Sequence, residues 1–325
     1  MKLKNKIRIL YSILRCRLLD MRIPVSVSWT LTHRCNHRCS YCNIYNIKIQ
    51  ELTTKQILLI IDQLKELGTE RIGFTGGEPL LRDDIGEIIN YAHDKKIFTG
   101  IVSNGSFVQT KIEQIRRLDL LQLSLDGNKE VNDKQRYEGS FDDVIKAIKI
   151  AKKYGIKVWI TYVLTKYNLS EVNYVVNLAK KYNAKIFFQP IVNYKSCGLI
   201  ANNLLPDQQE YKDIIKKLIE IKKTNNFIGN SHNGLKYLYH WPHYKPLKCF
   251  AGRLFFHITP SGNIYPCFNI DNKKCIKYNG NLKDSIEKLE SPKCDSCWTY
   301  ANIEFNLLFG LHTENIVNTL KLIGN

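Results

Sequence analysis

What the 325-residue sequence lacks narrows its class first. No apolar run approaches the roughly 18 residues of a membrane-spanning helix. The start does not read as a secretory signal: Ile9-Leu10-Tyr11-Ser12-Ile13-Leu14 is cut short by Arg15 and Arg17, with no small-residue cleavage site. Acidic residues are scarce, 30 against 48 Lys plus Arg, which leaves a formal net charge of +18. Such a surplus suits nucleic acid, but no nucleic-acid motif accompanies it, and lysines such as Lys146, Lys149, Lys152 and Lys153 fall at solvated helix positions. No nucleic acid is therefore expected as a partner. An acidic substrate or partner stays open, and the expected location is the reducing cytoplasm.

What is present is ordinary for a soluble globular chain: 44% hydrophobic and 24% charged residues, with length enough for a large core. Cysteine is the exception. Ten in a chain this long, and clustered, point to metal rather than to a disulfide scaffold. Three stand within eight residues, in Cys35-Asn-His-Arg-Cys39-Ser-Tyr-Cys42. A closed zinc site and a fully ligated iron–sulfur cubane each take four ligands, and no fourth cysteine is nearby. Three thiolates would leave one iron open for chemistry.

From residue 25 onward, strand-like and helix-like stretches alternate. Strands are expected at 25–32, 71–75, 98–103, 121–125, 157–164 and 185–191. Helices are expected at 54–67, 83–94, 109–118, 141–153, 170–182 and 207–223. Six such units predict a parallel sheet with right-handed crossovers, too few for a closed eight-stranded barrel. The cysteine loop, Gly76-Gly77, Asn104-Gly105 and Asp126-Gly127 all follow strands, which gathers them at the sheet's C-terminal edge.

The spacing Cys35-x3-Cys39-x2-Cys42, with Tyr41 before the last cysteine, resembles the cluster motif of the radical S-adenosylmethionine enzymes. Thr75-Gly76-Gly77-Glu78-Pro79-Leu80 resembles that superfamily's GGE segment. The resemblance implies an α/β fold, a partial (β/α)6 TIM-like barrel. It implies a [4Fe–4S] cluster on the three thiolates, with S-adenosylmethionine chelating the open iron. One electron then cleaves the sulfonium to a 5′-deoxyadenosyl radical, which abstracts a hydrogen atom; the protein orients the cofactor and excludes water. Gly76, Gly77 and Glu78 are assigned to the methionine amino group and Tyr41 to the adenine. Asn104 is assigned to the ribose, and an electron donor such as flavodoxin or ferredoxin is implied.

Ser124-Leu-Asp126-Gly127, followed by Arg136, is similar to the anaerobic sulfatase-maturating branch, in which a serine and an arginine so spaced bind the cofactor's carboxylate. A second set, Cys249, Cys267, Cys294 and Cys297, resembles the C-terminal extension called SPASM, and more closely its shorter twitch form, since no cysteine follows Cys297. It supplies four thiolates for one auxiliary [4Fe–4S] cluster; a four-cysteine zinc ribbon is the alternative. No spacing makes His33 or His37 a ligand, and positions behind the ligands or in solvent are expected for them; His240-Trp-Pro-His243 reads as a packed turn. Cys16, Cys197 and Cys275 lie outside both sets, and Gln189, Tyr194 and Cys197 are the candidates for the substrate side of the barrel mouth.

The domain expectation is a basic N-terminal helix over 1–24, a core over 25–230, a twitch/SPASM-like domain over 231–300 and a C-terminal helix over 301–325. Residues 1–22 interleave cations with apolar residues. A helix packed on the core is expected, with contact to an anionic membrane surface as the alternative.

The functional expectation is net oxidation of a small molecule, the auxiliary cluster accepting the second electron as in the aminocyclitol dehydrogenase of this family. Radical modification of a ribosomally made peptide is the alternative. It is disfavoured because many peptide-modifying members start with a leader-binding domain and only 24 residues precede the first strand. Methyl or adenosyl transfer is a third outcome within the family. From outside it comes a non-catalytic, zinc-stabilised protein that binds an acidic partner. Neither a catalytic residue of the chain nor its substrate is legible.

Overall fold

Each strand of the computed structural model turns one apolar row toward a layer of helices. The structure describes residues 3–192, 202–243, 245–269, 275–294 and 296–324. Strands β1 (Ser26–Thr32), β2 (Arg71–Gly76), β3 (Phe98–Ser103), β4 (Leu120–Ser124), β5 (Lys157–Leu164) and β6 (Lys185–Pro190) pair in parallel, in sequence order. On β1, Val27, Trp29 and Leu31 are buried with Ile57, Ile60, Ile61 and Leu64 of one neighbouring helix. The sheet is open, with β6 at one edge, as the six-unit pattern implied.

The outer layer comprises α2 (Thr54–Glu66), α3 (Ile85–Asp94), α4 (Val108–Ile115), α6 (Ser140–Lys153), α7 (Val172–Lys181) and α8 (Gln208–Thr224). Before them comes α1 (Leu3–Leu18), and a short α5 (Lys129–Gln135) interrupts the β4–α6 connection. The start of α2 shows the local logic. Thr53 caps Gln56, and Gln56 returns a bond to Thr53, a reciprocal capping box ahead of the apolar run.

Two features lie beyond the six-unit pattern. The sheet does not end at β1: β7 (Phe255–Ile258) pairs in parallel on its other side, and β8 (Asn263–Tyr265) and β9 (Ile276–Lys277) continue antiparallel. The second cysteine set therefore hangs from strands of the same sheet. Nor is the tail one helix. α9 (His232–Leu238) and α10 (Leu282–Glu287) precede α11 (Tyr300–Phe309) and α12 (Thr313–Gly324), and the last two are divided at Gly310-Leu311-His312. Leu311 takes a left-handed φ of 60°, and the His312 N–H bonds back to Leu307, so the helix closes there.

α11 spans the inner face of the sheet. Tyr300 stacks on Phe187 of β6 at 4.9 Å, and the Arg71 guanidinium of β2 lies 5.4 Å from the ring centre of Phe305. Phe305 also meets Phe255 of β7 at 6.0 Å. One helix thus bridges both wings of the open sheet.

Candidate functional site

β1 changes register against β2 between Thr30 and Thr32, then releases the cysteine loop. The loop is fixed at its root by backbone. Gly77 N–H donates to the Thr32 carbonyl and Glu78 N–H to the Arg34 carbonyl, both at 2.8 Å. Glycine is required for that approach: a Cβ on Gly77 would stand 2.2 Å from the Arg34 oxygen, and one on Gly76 2.3 Å from that of Thr32. Farther on, Glu51 accepts from Thr32, Arg34 and Arg82, tying the returning end of the loop to its start.

Cys35, Cys39 and Cys42 are free and half-buried, together on the one loop. Burial pushes all three thiols up, Cys39 to about 12; Cys42 then raises Cys35, and Cys42 and Cys35 raise Cys39. The Arg136 guanidinium pulls Cys39 and Cys42 the other way. Desolvated thiols that raise one another are suited to a metal centre, whose charge deprotonates them. Among the described residues, no three His, Cys, Asp or Glu side chains close on a single metal ion. A cubane holds its thiolates on separate irons, and the donor set fits one on its chemistry.

Glu78 is fully buried, and its carboxylate is taken up by protein. It accepts from Leu80 N–H at 3.0 Å, Asn104 N–H at 2.8 Å and the Ser103 hydroxyl at 3.0 Å. Burial raises its pKa to about 7 against those bonds. In this structure Glu78 joins the ends of β2 and β3. Asn104, so held, donates to Asn36 at 2.8 Å and lies 4.0 Å from the Cys35 sulfur.

Arg136 is buried. Its Nε lies 2.7 Å from Asp126 Oδ2, an ion pair whose N–H is not aimed along a hydrogen-bond line. The same carboxylate accepts from the Tyr41 hydroxyl, and the guanidinium lies 5.5 Å from the Tyr41 ring centre. Burial, with Asp126 adding to it, holds the Tyr41 phenol far above its ordinary range, and Arg136 opposes the shift. α5 places Arg136, and Asp133 anchors the turn after it by accepting from Gly139 and Phe141 N–H. Ser124 ends β4, half-buried, two residues before Asp126.

In the second set Cys267 is buried, Cys249 and Cys297 are half-buried and Cys294 is exposed. Burial drives Cys267 to about 12 and Cys297 higher still, and Cys249 and Cys294 raise both. Two asparagines of α11 supply donors to sulfur: Asn302 Nδ2 lies 3.2 Å from Cys267 and Asn306 Nδ2 lies 3.8 Å from Cys249. Asn269 N–H adds a third, 3.5 Å from Cys267. Four thiols with amides aimed at sulfur fit a cluster as well as they fit zinc.

The sequence reading missed Asp126, Asn302 and Asn306. Asp126 was legible only as part of a turn, and the asparagines only as polar positions four apart on an apolar helix. Of the two positions expected for His37, behind the ligands or in solvent, the structure has the buried one: His37 stacks on Tyr137 at 5.2 Å, with Nε2 2.9 Å from Ser106 Oγ. Burial, helped by Arg136, lowers its pKa to about 4. Trp241 packs on Tyr211 in the expected turn, Cys16 is core and Gln189 is buried. Tyr194 and Cys197 lie outside the described residues.

The family model described as "Radical SAM superfamily" matches residues 29–179, which hold the cysteine loop, Gly76-Gly77 and Arg136. The chain belongs to the radical SAM superfamily. It is 27% identical to the PqqA peptide cyclase of Granulibacter bethesdensis over 260 residues, 75% of this chain and 67% of that protein. It is 30% identical to the mycofactocin maturase MftC of Mycolicibacterium smegmatis, over 77% of this chain and 66% of that one. The chain thus spans about two thirds of each of these relatives. In fold it is similar to SuiB of Streptococcus suis bound to S-adenosylmethionine, with a TM-score of 0.68 and 18% identity over 86% of this chain and 68% of that one. The partial barrel is therefore that of a radical SAM enzyme, whose family implies a [4Fe–4S] cluster and S-adenosylmethionine.

Proposed function

We propose that the chain is a peptide-modifying radical SAM enzyme that acts on an unreactive C–H bond of a ribosomally made peptide. The placement of Cys35, Cys39 and Cys42 on one loop after β1, in a chain of the radical SAM superfamily, supports the reading that it is such an enzyme. Peptide as substrate rests on the relatives: one is a PqqA peptide cyclase, and SuiB has also been solved with its precursor peptide SuiA. They support the peptide alternative better than small-molecule oxidation.

When bound, cluster and cofactor together supply hydrogen-atom abstraction. Cys35, Cys39 and Cys42 would hold the cluster, and Cys249, Cys267, Cys294 and Cys297 an auxiliary one. Gly76 and Gly77 fix the first loop without side-chain bulk. Glu78 orients Asn104 toward it. Arg136, positioned by Asp126 beside Cys39, is the cation offered to a methionyl carboxylate, with Ser124 nearby. Tyr41 walls the same corner, packing with Ile191 and Leu204, and narrows access of water to the thiols.

Reconstituted enzyme with dithionite and S-adenosylmethionine would be offered pools of unmodified synthetic peptides and pools of sugars and amino alcohols. The expected result is 5′-deoxyadenosine release stimulated by peptides. Stimulation by the small-molecule pool alone would return the reading to small-molecule oxidation.

A further inference from the structure

The end of the molecule opposite the cysteine loop carries a surface that the reaction does not use. α1 packs there by one face: Ile9, Ile13 and Cys16 join Val25, Phe255 and Phe309 at the N-terminal ends of β1 and β7. Arg8 pairs with the buried Glu70, just before β2, at 3.1 Å. The opposite face of α1 is also apolar. Leu10, Tyr11, Leu14 and Leu18 recur at helical spacing and are exposed with Leu19, Leu18 by 78%. Soluble surfaces rarely leave such residues contiguous.

Cations outnumber carboxylates at this end of the molecule, where Glu66, Asp94 and Asp20 are exposed, Asp94 paired with Arg117 and Asp20 with Arg253. α1, LKNKIRILYSILRCRL, has no acidic residue. The barrel helices run antiparallel to their strands and so end near the same end of the molecule. Lys96, Arg116, Lys152, Lys153, Lys180 and Lys181 are exposed at or just past those helix ends. Cations at helix C-termini complement the dipole and alone would mean nothing. The apolar stripe is the second, independent observation. A helix apolar on both faces, one against the core and one outward among cations, has the composition of an interfacial helix.

We propose that α1 and this basic end of the barrel dock on an anionic lipid bilayer. Leu14 and Leu18 enter the headgroup boundary, and the lysines meet lipid phosphates. The cysteine loop, at the other end of the strands, then opens away from the bilayer.

The test is flotation of the full chain with vesicles of phosphatidylcholine, alone or mixed with phosphatidylglycerol, beside a Leu14→Glu/Leu18→Glu variant. Both leucines are exposed, so the variant keeps its fold, which circular dichroism checks. The expected result is partitioning onto phosphatidylglycerol vesicles only, reduced about tenfold or more by the variant and weakened by added salt. A Lys152→Glu/Lys153→Glu variant binds less tightly as well. A parent chain that stays soluble with both vesicles overturns the proposal. So does a leucine variant that binds as well as the parent. A parent that dimerises through α1 without binding vesicles assigns the stripe to a second copy instead.

Discussion

At the scale of single residues, the site depends as much on an absent side chain as on the thiols. Gly77 lets the β2 loop pass against the backbone of the cysteine loop, and a Cβ there meets the carbonyls of Arg34 at 2.2 Å and His33 at 2.6 Å. Neither partner is a flexible side chain that can swing aside. Gly77→Ala must therefore displace the cysteine loop or strain it, at about 1–3 kcal/mol by the usual cost of overpacking. Its expected signature is local: iron falls from about eight to about four per chain, while the circular dichroism spectrum is kept. Full iron occupancy in Gly77→Ala would show that the loop does not depend on this contact. The buried Arg136–Asp126 pair is a second residue-scale device. Arg136 lowers the Cys39 thiol while Asp126 raises it, so Arg136→Ala, which removes the cation alone, should weaken S-adenosylmethionine binding to reconstituted protein beyond any loss of stability.

Among the elements, α11 does the most joining. Its aromatic residues bridge β6, β2 and β7, while Asn302 and Asn306 turn toward the second cysteine set. Hydrogen bonds to cluster sulfur stabilise the reduced, more negative state and so raise the potential. Asn302→Ala is accordingly expected to retain its iron and to shift the auxiliary cluster's potential downward by tens of millivolts. A redox titration followed by electron paramagnetic resonance reads that shift. Zinc in place of iron, or an unmoved potential, would remove the asparagine from this role. The break after Phe309 matters here, because a continuous tail helix would carry α12 away from α9, where Glu314 accepts from His232 and Asn233 N–H.

For the whole molecule, the six parallel strands and most barrel helices were legible, with ends within about two residues, because apolar periodicity and strand-ending glycines are local signals. The three-cysteine loop and Gly76-Gly77 were legible for the same reason. What could not be read were pairings between distant segments. β7 joins β1 across more than two hundred residues of chain, and nothing in Phe255–Ile258 says which edge it will take. Asp126 looked like a turn residue until Tyr41 and Arg136 were brought to it from separate loops. Nothing local to Glu78 says that Ser103 and Asn104, from the end of β3, bond to its carboxylate.

The central claim is that Cys35, Cys39 and Cys42 hold a cluster that cleaves S-adenosylmethionine. It is tested most directly on anaerobically reconstituted protein with dithionite and S-adenosylmethionine, by measuring iron, acid-labile sulfide and 5′-deoxyadenosine in the parent and in Cys39→Ala. The account predicts about eight irons per chain in the parent, two cubanes' worth, and slow deoxyadenosine formation. Cys39→Ala should lose the deoxyadenosine and about half the iron, while Cys297→Ala keeps the first cluster's share. Zinc in place of iron, or deoxyadenosine formation undiminished in Cys39→Ala, would contradict it.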